Sequence, residues 1–378
     1  MKALLARVLG KSFVHTANDF EIFMGGNLDS RNILIFTEHI NATYYIFFDI
    51  PLRRLHVRGE VNFAVVSQKH VLASGVGCWK RWAESFRPDV VVLTRYGQPH
   101  GADILEFFHR QGIPVIYHID DNLLEIPESL GAEIRQRQGA EDVVEARRHL
   151  LGKCDLIYAS TGYLAAVLHS WFPTQRVIHG ICAPYMGAYV QVADPPERSY
   201  PVVGYMGSKG HQHDLELVVP ALERLLDERP DLHFEVFGTI QLPPALERFG
   251  VRIYRRQVQT SYLDFLVTLA SLRWEIGLAP LADVPFNRCK APTKFIEYTA
   301  CCIPVVASRN SVYENVIPEG GGILVKNDWF SDLSNFLDDV KLRTYSVATA
   351  RTHCLNAFAP KKLEKQLLSV VDSVLKSK

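Results

Sequence analysis

The sequence predicts an α/β protein in which two doubly wound parallel sheets form consecutive domains that face a central cleft. The chain has 378 residues, which is too long for one ordinary hydrophobic core. From residue 32 onward, short apolar runs alternate with amphipathic stretches. The same alternation starts again after the proline-rich stretch VADPPERSYP at 192–201. These observations indicate two domains built from repeated βαβ units.

Six apolar runs in the first half predict strands. They are rich in valine and isoleucine without polar alternation, which is typical of strands buried on both faces of a parallel sheet. Helices are predicted between them, at 101–111 and 140–152. The strand runs lie at 33–36, 62–66, 89–93, 114–119, 155–160 and 176–180.

The second half repeats this pattern and ends in three amphipathic helices. Helices are predicted at 213–228 and 261–272, and strands at 202–206, 233–238, 251–254, 275–280, within IPVVAS, and at 322–325. We therefore divide the chain into an N-terminal extension at 1–31, domains at 32–196 and 197–358, and a C-terminal helix at 359–378 that crosses back to the first domain. Because open α/β sheets bind ligands beyond the carboxyl ends of their strands, function is sought in the loops that follow them.

The overall charge gives no general attraction for nucleic acid. Lysine plus arginine equals aspartate plus glutamate at 41 each, so any anion site must be local. The hydrophobic fraction of 48% and the charged fraction of 22% are those of a soluble globular protein.

The cysteines favour reduced thiols. There are seven, an odd number, and none has the CxxC or Cys/His spacing of a zinc site. We expect a cytoplasmic protein with no metal and no cofactor. No apolar stretch reaches the roughly 18 residues that span a bilayer. The opening MKALLARVLGK is either a short amphipathic helix resting on the membrane surface or a helix end packed on the domain.

The loop after the 202–206 strand reads GSKGHQHD. Gly207 and Gly210 let the backbone approach a ligand, and a helix beginning soon afterwards turns its amide groups toward the same place. Lys209 adds a mobile cation. The loop is therefore a candidate phosphate contact, and the alternative is an ordinary tight turn.

The stretch CKAPTKFIEYTACCIPVVAS at 289–308 carries more specific chemistry. Pro292 suits the first turn of a helix, which leaves Lys290 in the preceding loop and puts Lys294 and Glu297 one turn apart on one face. The alternative is a surface ion pair. Two lysines at a helix amino end suit a diphosphate, and a carboxylate one turn further suits the hydroxyls of a ribose. Together they predict a nucleotide-diphosphate pocket.

Two adjacent carboxylates end a strand of the first domain. Asp120 and Asp121 follow a buried run, so they either cap the next turn or act at an acceptor hydroxyl as general base or orienting group. His39, after the first strand, is a second acceptor-side candidate, whereas His118 is predicted to be a core residue.

These stretches together resemble a known enzyme family. The order VVGYMGS, HDLELVVPAL, FEVFG, GLAPLADVPFNRCKAPTKFIEYTACCIPVVAS, SVYENVI and GGILV resembles the carboxy-terminal half of GT-B glycosyltransferases. It is most similar to the retaining, glycogen-synthase-like superfamily that builds bacterial surface polysaccharides. PVIYHIDDNLLEIP resembles the acceptor domain of that group. The resemblance covers nearly the whole chain from about residue 32, and it implies two Rossmann-like domains, the first on the acceptor side and the second binding the donor.

The resemblance also implies site residues. In that superfamily a Glu-x7-Glu pair spans the donor site, and Glu297 matches the second glutamate, which holds the nucleotide ribose. The first glutamate, which touches the donor sugar, falls on Cys289, so the chain departs from the pattern there. Lys290 and Lys294 resemble the cations of a K...K..E variant that face the diphosphate. Glu314 in SVYENVI lies where the family often has a glutamate near the donor.

The usual Arg/Lys diphosphate pair after the first strand of the donor domain is absent. We expect Lys209 and the amides of Gly207 and Ser208 to replace it. The base pocket is expected in the loops after FEVFG and VRIY, at Thr239, Ile240, Arg255 and Arg256.

The expected reaction is transfer of a sugar from a nucleotide-diphosphate donor to a glycan or lipid-linked acceptor, with retention and without a metal ion. Lys209, Lys290 and Lys294 would stabilise the leaving diphosphate, which itself takes the acceptor proton. A sugar-nucleotide epimerase or a phosphorylase on the same fold stays open as an alternative. So does a catalytically silent relative that binds nucleotide sugar or glycan as a scaffold, which the Cys289 departure favours. Peripheral contact with the cytoplasmic membrane surface also stays open.

Overall fold

The chain folds into two compact units. The computed structural model describes residues 19–184, 198–257 and 261–376. Within these ranges, unit 1 contains residues 19–125, 138–181 and 361–376, and unit 2 contains 126–137 and the rest of 182–360. The MKALLARVLGK stretch and most of the 192–201 boundary lie outside the described residues.

Unit 1 is built on a seven-stranded sheet of order β1-β3-β2-β4-β5-β6-β7. All six predicted strands are confirmed as parallel neighbours. The short antiparallel edge strand β1 was not predicted, because three half-buried residues carry no clear pattern. The strands are β1 (Ile22–Met24), β2 (Arg31–Thr37), β3 (Val61–Ser67), β4 (Val90–Thr94), β5 (Val115–Ile119), β6 (Leu156–Ala159) and β7 (Val177–His179).

Unit 2 has a six-stranded, entirely parallel sheet of order β10-β9-β8-β11-β12-β13. The prediction for β10 is displaced by two residues, because a 3-10 helix with a left-handed Gly250 runs on to Arg252. The strands are β8 (Val202–Gly207), β9 (His233–Gly238), β10 (Ile253–Arg256), β11 (Ile276–Ala279), β12 (Val305–Ser308) and β13 (Ile323–Val325).

Each sheet has one point at which the strand order reverses. In unit 1 it lies between β2 and β4, and in unit 2 between β8 and β11. Loops that leave the carboxyl ends of the two flanking strands diverge at such a point, and the crevice they leave is where doubly wound sheets bind ligands.

Helices pack against both sheets. In unit 1 they are Ala42–Tyr44, continued by a π-helical turn Tyr45–Asp49 and Ile50–Val57, then Gln68–Ser74, Cys78–Phe86, Gly101–Arg110, Glu141–Lys153 and Gly162–Trp171. Helix Ala132–Gln138 ends at the division between the units. The last helix, Pro360–Leu375, belongs to unit 1 from residue 361.

The helices of unit 2 differ from the prediction at one place. The helix expected at 213–228 is broken into Gln212–Glu216 and Val219–Glu228, because Pro220 lacks the amide that would continue the first helix. The others are the 3-10 turns Glu128–Leu130, Lys209–His211 and Pro244–Arg252, and the helices Tyr262–Leu272, Pro285–Arg288, Thr293–Ala300, Trp329–Asp338 and Val340–Ala357.

One buried tyrosine fixes helix Thr293–Ala300 on the sheet. The Tyr298 hydroxyl donates to the Leu278 carbonyl at 3.1 Å and accepts from the Met206 amide at 2.9 Å. Gly277 makes room for the ring, since a Cβ there would lie 2.8 Å from it. The helix that carries Lys294 and Glu297 is therefore tied to β8 and β11.

All seven cysteines are thiols, as predicted; six are buried and Cys302 is exposed. Among the described helices, none combines the length and apolar character needed to cross a membrane.

Glu364 holds the last helix against unit 1. Its buried carboxylate accepts from the Arg54 guanidinium and lies 2.8 Å from Nη1 of Arg58. A more exposed pair, Arg31 with Asp372 at 2.8 Å, lies further along the same helix.

We predict that Glu364→Gln lowers the free energy of unfolding by about 2 kcal/mol, because two charge-assisted hydrogen bonds are weakened in a buried position. Calorimetric unfolding of the full chain measures the change. The matched variant Asp372→Asn, at the more exposed pair, should cost well under 1 kcal/mol. Equal effects of the two variants would contradict the assigned role of Glu364.

Candidate functional site

The glycine loop of unit 2 follows β8 and meets the loop that follows β9. Gly238 allows this approach: its φ is +123°, and a Cβ there would lie 2.2 Å from the Gly207 carbonyl oxygen. The Ile240 amide donates to that carbonyl at 3.2 Å, and the Lys209 amide donates to Oγ1 of Thr239 at 3.2 Å. Gly207, Ser208, Lys209 and Thr239 thus lie together, and their roles at a donor stay predictions.

The expected helix amino end behind this loop is not present. Ser208 is followed by the 3-10 turn Lys209–His211 and then by a helix of only five residues. A helix this short provides little dipole, so the expected support from a long helix is absent, and the phosphate contact of the glycine loop stays a prediction. Lys209 is half exposed and its Nζ lies 3.0 Å from Glu133, a surface pair that solvent weakens.

Lys290 lies in the loop after β11, close to two residues that follow the glycine loop. Its Nζ is 3.5 Å from Nδ1 of His211 and 3.8 Å from Oδ2 of Asp214. The side chain is only 12% exposed. Since β8 and β11 are paired neighbours, the two loops flank the reversal point of the unit 2 sheet.

Asp214 joins these two loops. Its Oδ1 accepts from the Ala282 amide at 3.0 Å and from Nδ2 of Asn287 at 2.9 Å, while its Oδ2 accepts from Nδ1 of His211 at 2.9 Å. Burial opposes ionisation, but the hydrogen bond from His211 and the charge of Lys290 hold the pKa of Asp214 well below its usual range. The buried carboxylate is therefore an anion with a full set of partners.

His211 is held neutral beside the lysines. Burial and the charges of Lys290 and Lys294 lower the pKa of His211 to about 3. Lys294 Nζ lies 5.6 Å from the centre of the Tyr205 ring, within the range of a cation–π contact. The sequence analysis missed His211, Asp214 and Asn287; the signal available for Asp214 was a carboxylate at the end of the glycine-rich stretch GSKGHQHD, directly before the apolar positions of the following helix.

Glu297 lies inside unit 2. It is 7% exposed, which excludes the surface ion pair with Lys294, and it accepts a hydrogen bond from the Tyr262 hydroxyl at 2.7 Å. Burial raises the pKa of Glu297 to about 7, although the Tyr262 hydrogen bond and the charge of Lys294 act in the opposite direction. Tyr262, which the sequence reading missed, orients the carboxyl group.

The structure places the remaining donor-side candidates as follows. Cys289 is 1% exposed and its thiol donates to the Pro285 carbonyl at 3.5 Å. Glu314 is partly exposed and its Oε1 lies 3.2 Å from Nη1 of Arg309. Their roles at a donor stay predictions.

The expected base-pocket residues need correction. Ile240 is fully buried in the core of unit 2. Arg255 and Arg256 are strand residues of β10 rather than loop residues, and Arg256 pairs with the buried carboxylate of Glu235. The displaced strand accounts for this error.

In unit 1, Arg95 gathers three carboxylates at the reversal point of the sheet. It directly follows β4, and its guanidinium donates to Glu38 at 3.0 Å, Asp120 at 2.8 Å and Asp121 at 3.3 Å. Thr43 donates to the second oxygen of Asp120 at 2.6 Å. Adjacent Asp120 and Asp121 are therefore tolerated because one cation faces both.

Arg95 itself has an unusual backbone and a buried support. Its φ of +55° is in the left-handed region, which few residues other than glycine adopt. Glu38 also accepts a hydrogen bond from Nε2 of Gln138, and its Oε1 lies 3.7 Å from Nη2 of the buried Arg147. The sequence reading missed Arg95 and Glu38, although both immediately follow strands that it had identified.

This cluster sets the ionisation of Asp120. Burial opposes its charged form, but Arg95 lowers the pKa of Asp120 below its ordinary value. His39 is 55% exposed, 3.9 Å from Glu38. His118 is fully buried, as predicted, and burial lowers its pKa to about 3.

Comparisons with known proteins agree on the fold. No protein-family description matches the sequence, and no curated protein matches it. The structure is similar to a glycosyltransferase from Rickettsia africae, with a TM-score of 0.63 and 13% identity over 93% of this chain and all of that one. Anabaena HepE in complex with UDP-glucose has a TM-score of 0.61 and 13% identity over 90% of this chain and 99% of that one.

An epimerase has the same architecture. UDP-GlcNAc 2-epimerase from Neisseria meningitidis bound to UDP-GlcNAc has a TM-score of 0.53 and 12% identity over 92% of this chain and all of that one. The structure is also similar to that of TarM, with a TM-score of 0.52 and 11% identity over 74% of this chain. The matched part spans 54% of the longer TarM chain. Identities this low define the fold alone: the chain has the GT-B fold, as predicted from the sequence.

We predict that Glu297→Gln stabilises the protein at neutral pH. The unfolded chain loses this proton near pH 4.5 and the folded chain near pH 7, so between these values the folded state binds more protons and wild-type stability falls as pH rises. The advantage of the glutamine variant should grow by about 3 kcal/mol across that window.

Urea unfolding at pH 4.5, 6 and 8 measures this difference, with Glu319→Gln as the exposed control. A stability difference between Glu297→Gln and wild type that does not vary with pH would contradict the assigned ionisation.

We also predict that Arg95→Met destabilises unit 1 by about 3 to 5 kcal/mol at pH 7, because three clustered carboxylates lose their common cation. The loss should shrink at pH 4, where protonation relieves the repulsion. Urea unfolding at the two pH values measures it. Arg110→Met, at an exposed helix pair, should change stability little, and a pH-independent loss for Arg95→Met would argue against the charge cluster.

Proposed function

We propose that this protein is a glycosyltransferase that moves a sugar from a nucleotide-diphosphate donor to a hydroxyl of a glycan or lipid-linked acceptor, with retention and without a metal ion. One observation carries the proposal. At the reversal point of the unit 2 sheet, the glycine loop and the Lys290 loop leave neighbouring strands and meet through His211 and Asp214.

The charges there suit a diphosphate. The charges of Lys290 and Lys294 both act on His211, and Oδ2 of Asp214 lies 3.8 Å from Nζ of Lys290. The protein as a whole has no net charge, so attraction for a diphosphate must come from local cations such as these. Lys209, on the same glycine loop, pairs with the exposed carboxylate of Glu133, which a phosphate can replace.

Glu297 supports a nucleotide rather than inorganic phosphate. It lies one helical turn beyond Lys294, and its carboxyl group is oriented by Tyr262. Carboxyl oxygens accept hydrogen bonds from hydroxyl groups in either protonation state. A ribose hydroxyl is the proposed partner of Glu297.

The proposed chemistry depends on cations more than on a base. As the bond between sugar and diphosphate breaks, charge builds on the leaving oxygen, and Lys290 and Lys294 stabilise it. The leaving diphosphate takes the proton of the acceptor hydroxyl. Asp120 is a weak base because Arg95 keeps its pKa low, so we assign Asp120 and Asp121 to orienting the acceptor.

An epimerase is the second candidate. The similarity to the Neisseria enzyme favours it, and it would use the same nucleotide-sugar site. The two reactions differ in product. The protein is incubated with UDP-GlcNAc, and the products are identified by proton NMR. A new sugar nucleotide indicates epimerisation, whereas UDP that is released only when a glycan acceptor is added indicates transfer.

We predict that one nucleotide of the set UDP, GDP, dTDP, ADP and CMP raises the melting temperature of the wild type. A ligand at 100 times its dissociation constant adds about 2.7 kcal/mol to the free energy of unfolding. Lys294→Ala should lose most of this effect, because a phosphate contact is removed. Lys341→Ala, at an exposed position of unit 2, should retain it.

If no nucleotide stabilises the wild type, the donor site is contradicted and a glycan-binding scaffold is the better interpretation. If Lys294→Ala keeps the full stabilisation, the nucleotide binds elsewhere.

A further inference from the structure

The ring of His211 has one nitrogen occupied and the other available. Nδ1 lies 2.9 Å from Oδ2 of Asp214. Nε2 makes no hydrogen bond to any residue in the part of the chain that the structure describes, and it is not among the buried polar atoms that lack partners. The ring is partly exposed. His211 therefore turns Nε2 toward solvent, while its Nδ1 faces Asp214 and Lys290.

The contacts of Nδ1 fix which nitrogen carries the proton. An ionised carboxylate can only accept, so the nitrogen 2.9 Å from Asp214 must be the donor. The contact between Nδ1 and Lys290 Nζ is longer, at 3.5 Å, and would require the opposite tautomer. The shorter contact to an anion is the stronger one. His211 is thus an Nδ1–H tautomer, and Nε2 carries a lone pair.

The surroundings keep this lone pair unprotonated. Burial and the charges of Lys290 and Lys294 hold the pKa of His211 near 3, so the imidazole is neutral at physiological pH. A neutral acceptor therefore lies within the electrostatic influence of two cations. The lysines can donate hydrogen bonds to phosphate oxygens. The lone pair on Nε2 cannot bind them, because an ionised phosphate has no hydrogen to donate.

We propose that Nε2 of His211 accepts a hydrogen bond from a hydroxyl of the donor sugar, and that Asp214 is the positioning residue that fixes the required tautomer. This inference rests on the proposed function, since it needs a nucleotide sugar in the site. The groups of such a ligand that can donate near the diphosphate are hydroxyls. Glu297 is already assigned to the ribose, which leaves the transferred sugar for His211.

Cys289 does not supply this acceptor. It precedes Lys290 in the same loop, but it is 1% exposed and its thiol donates to Pro285. The imidazole is the partly exposed acceptor beside Lys290, and it makes His211 a specificity residue for the sugar.

The tautomer is measured first, without any ligand. Nitrogen-15 NMR of histidine-labelled protein at pH 7 should show His211 protonated at Nδ1 only. Asp214→Asn should move the proton to Nε2. The Asn oxygen must still accept from Ala282 and Asn287, so its NH₂ group faces the ring. A wild type with Nε2–H, or with both nitrogens protonated, overturns the proposal.

Calorimetric titration with UDP and with UDP-glucose then tests the contact between His211 and the sugar. If GDP is the stabilising nucleotide, GDP and GDP-glucose are used instead. His211→Asn keeps a donor to Asp214 but loses the outer acceptor. It should weaken UDP-glucose binding about five- to tenfold, the loss of one hydrogen bond, and leave UDP binding nearly unchanged. His211→Gln, whose longer amide reaches the position of Nε2, should restore most of the affinity.

Two controls make the result specific. Lys294→Ala should weaken UDP and UDP-glucose by similar factors, because both contain the diphosphate. His233→Asn, on β9, should affect neither. If His211→Asn loses the same affinity for UDP as for UDP-glucose, or loses none for either, the proposed sugar contact is overturned. The proposed nucleotide site is not contradicted by that result. A wild type that binds none of the nucleotides contradicts the proposed function instead, and the NMR result then decides the tautomer by itself.

Discussion

The buried carboxylate of Asp214 is the constraint on which the candidate site in unit 2 depends. It lies on a five-residue helix after the glycine loop, and its partners lie in the segment that follows β11: Ala282 in the loop and Asn287 on the short helix Pro285–Arg288. An ionised group inside a protein is stable only when hydrogen bonds and opposite charge replace water. The two loops are therefore fixed relative to each other, and Lys290 is held in place before any anion arrives. Such preorganisation removes a cost that a flexible lysine would pay on binding.

Unit 1 also has a charged cluster at its reversal point, but the central residue there is the cation Arg95. Arg95 occupies a left-handed backbone position and faces three carboxylates that follow β2 and β5. A strained conformation persists only where its surroundings over-determine it, and here the ion pairs and the buried Arg147 do so. Both sheets thus place a charged centre at their reversal point, one organised around an anion and the other around a cation.

The sequence was sufficient for the inner strands of both sheets, because strands buried on both faces leave uninterrupted valine and isoleucine runs, but not for the edge strands β1 and β10. It also predicted the helix that carries Lys294 and Glu297, since a proline-marked helix between two inner strands is visible locally. Asp214 and Arg95 were not predictable in this way, because each depends on distant partners: Asn287 lies 73 positions from Asp214, and Glu38 lies 57 positions from Arg95. The errors at Arg255 and Arg256 arose from a helix boundary, which local patterns define least well. Polar networks are assembled by the fold, and only their individual members appear in the sequence.

The exposed thiol of Cys302 has a practical consequence. The other six thiols are buried, so a maleimide dye should react at one position in the native protein. Cys302 follows directly after helix Thr293–Ala300 and its cap residue Cys301, and that helix carries Lys294 and Glu297. A fluorophore there would lie on the element that the proposed ligand contacts, without replacing any residue of the site. The wild-type chain thus contains its own attachment point for an optical sensor of ligand occupancy.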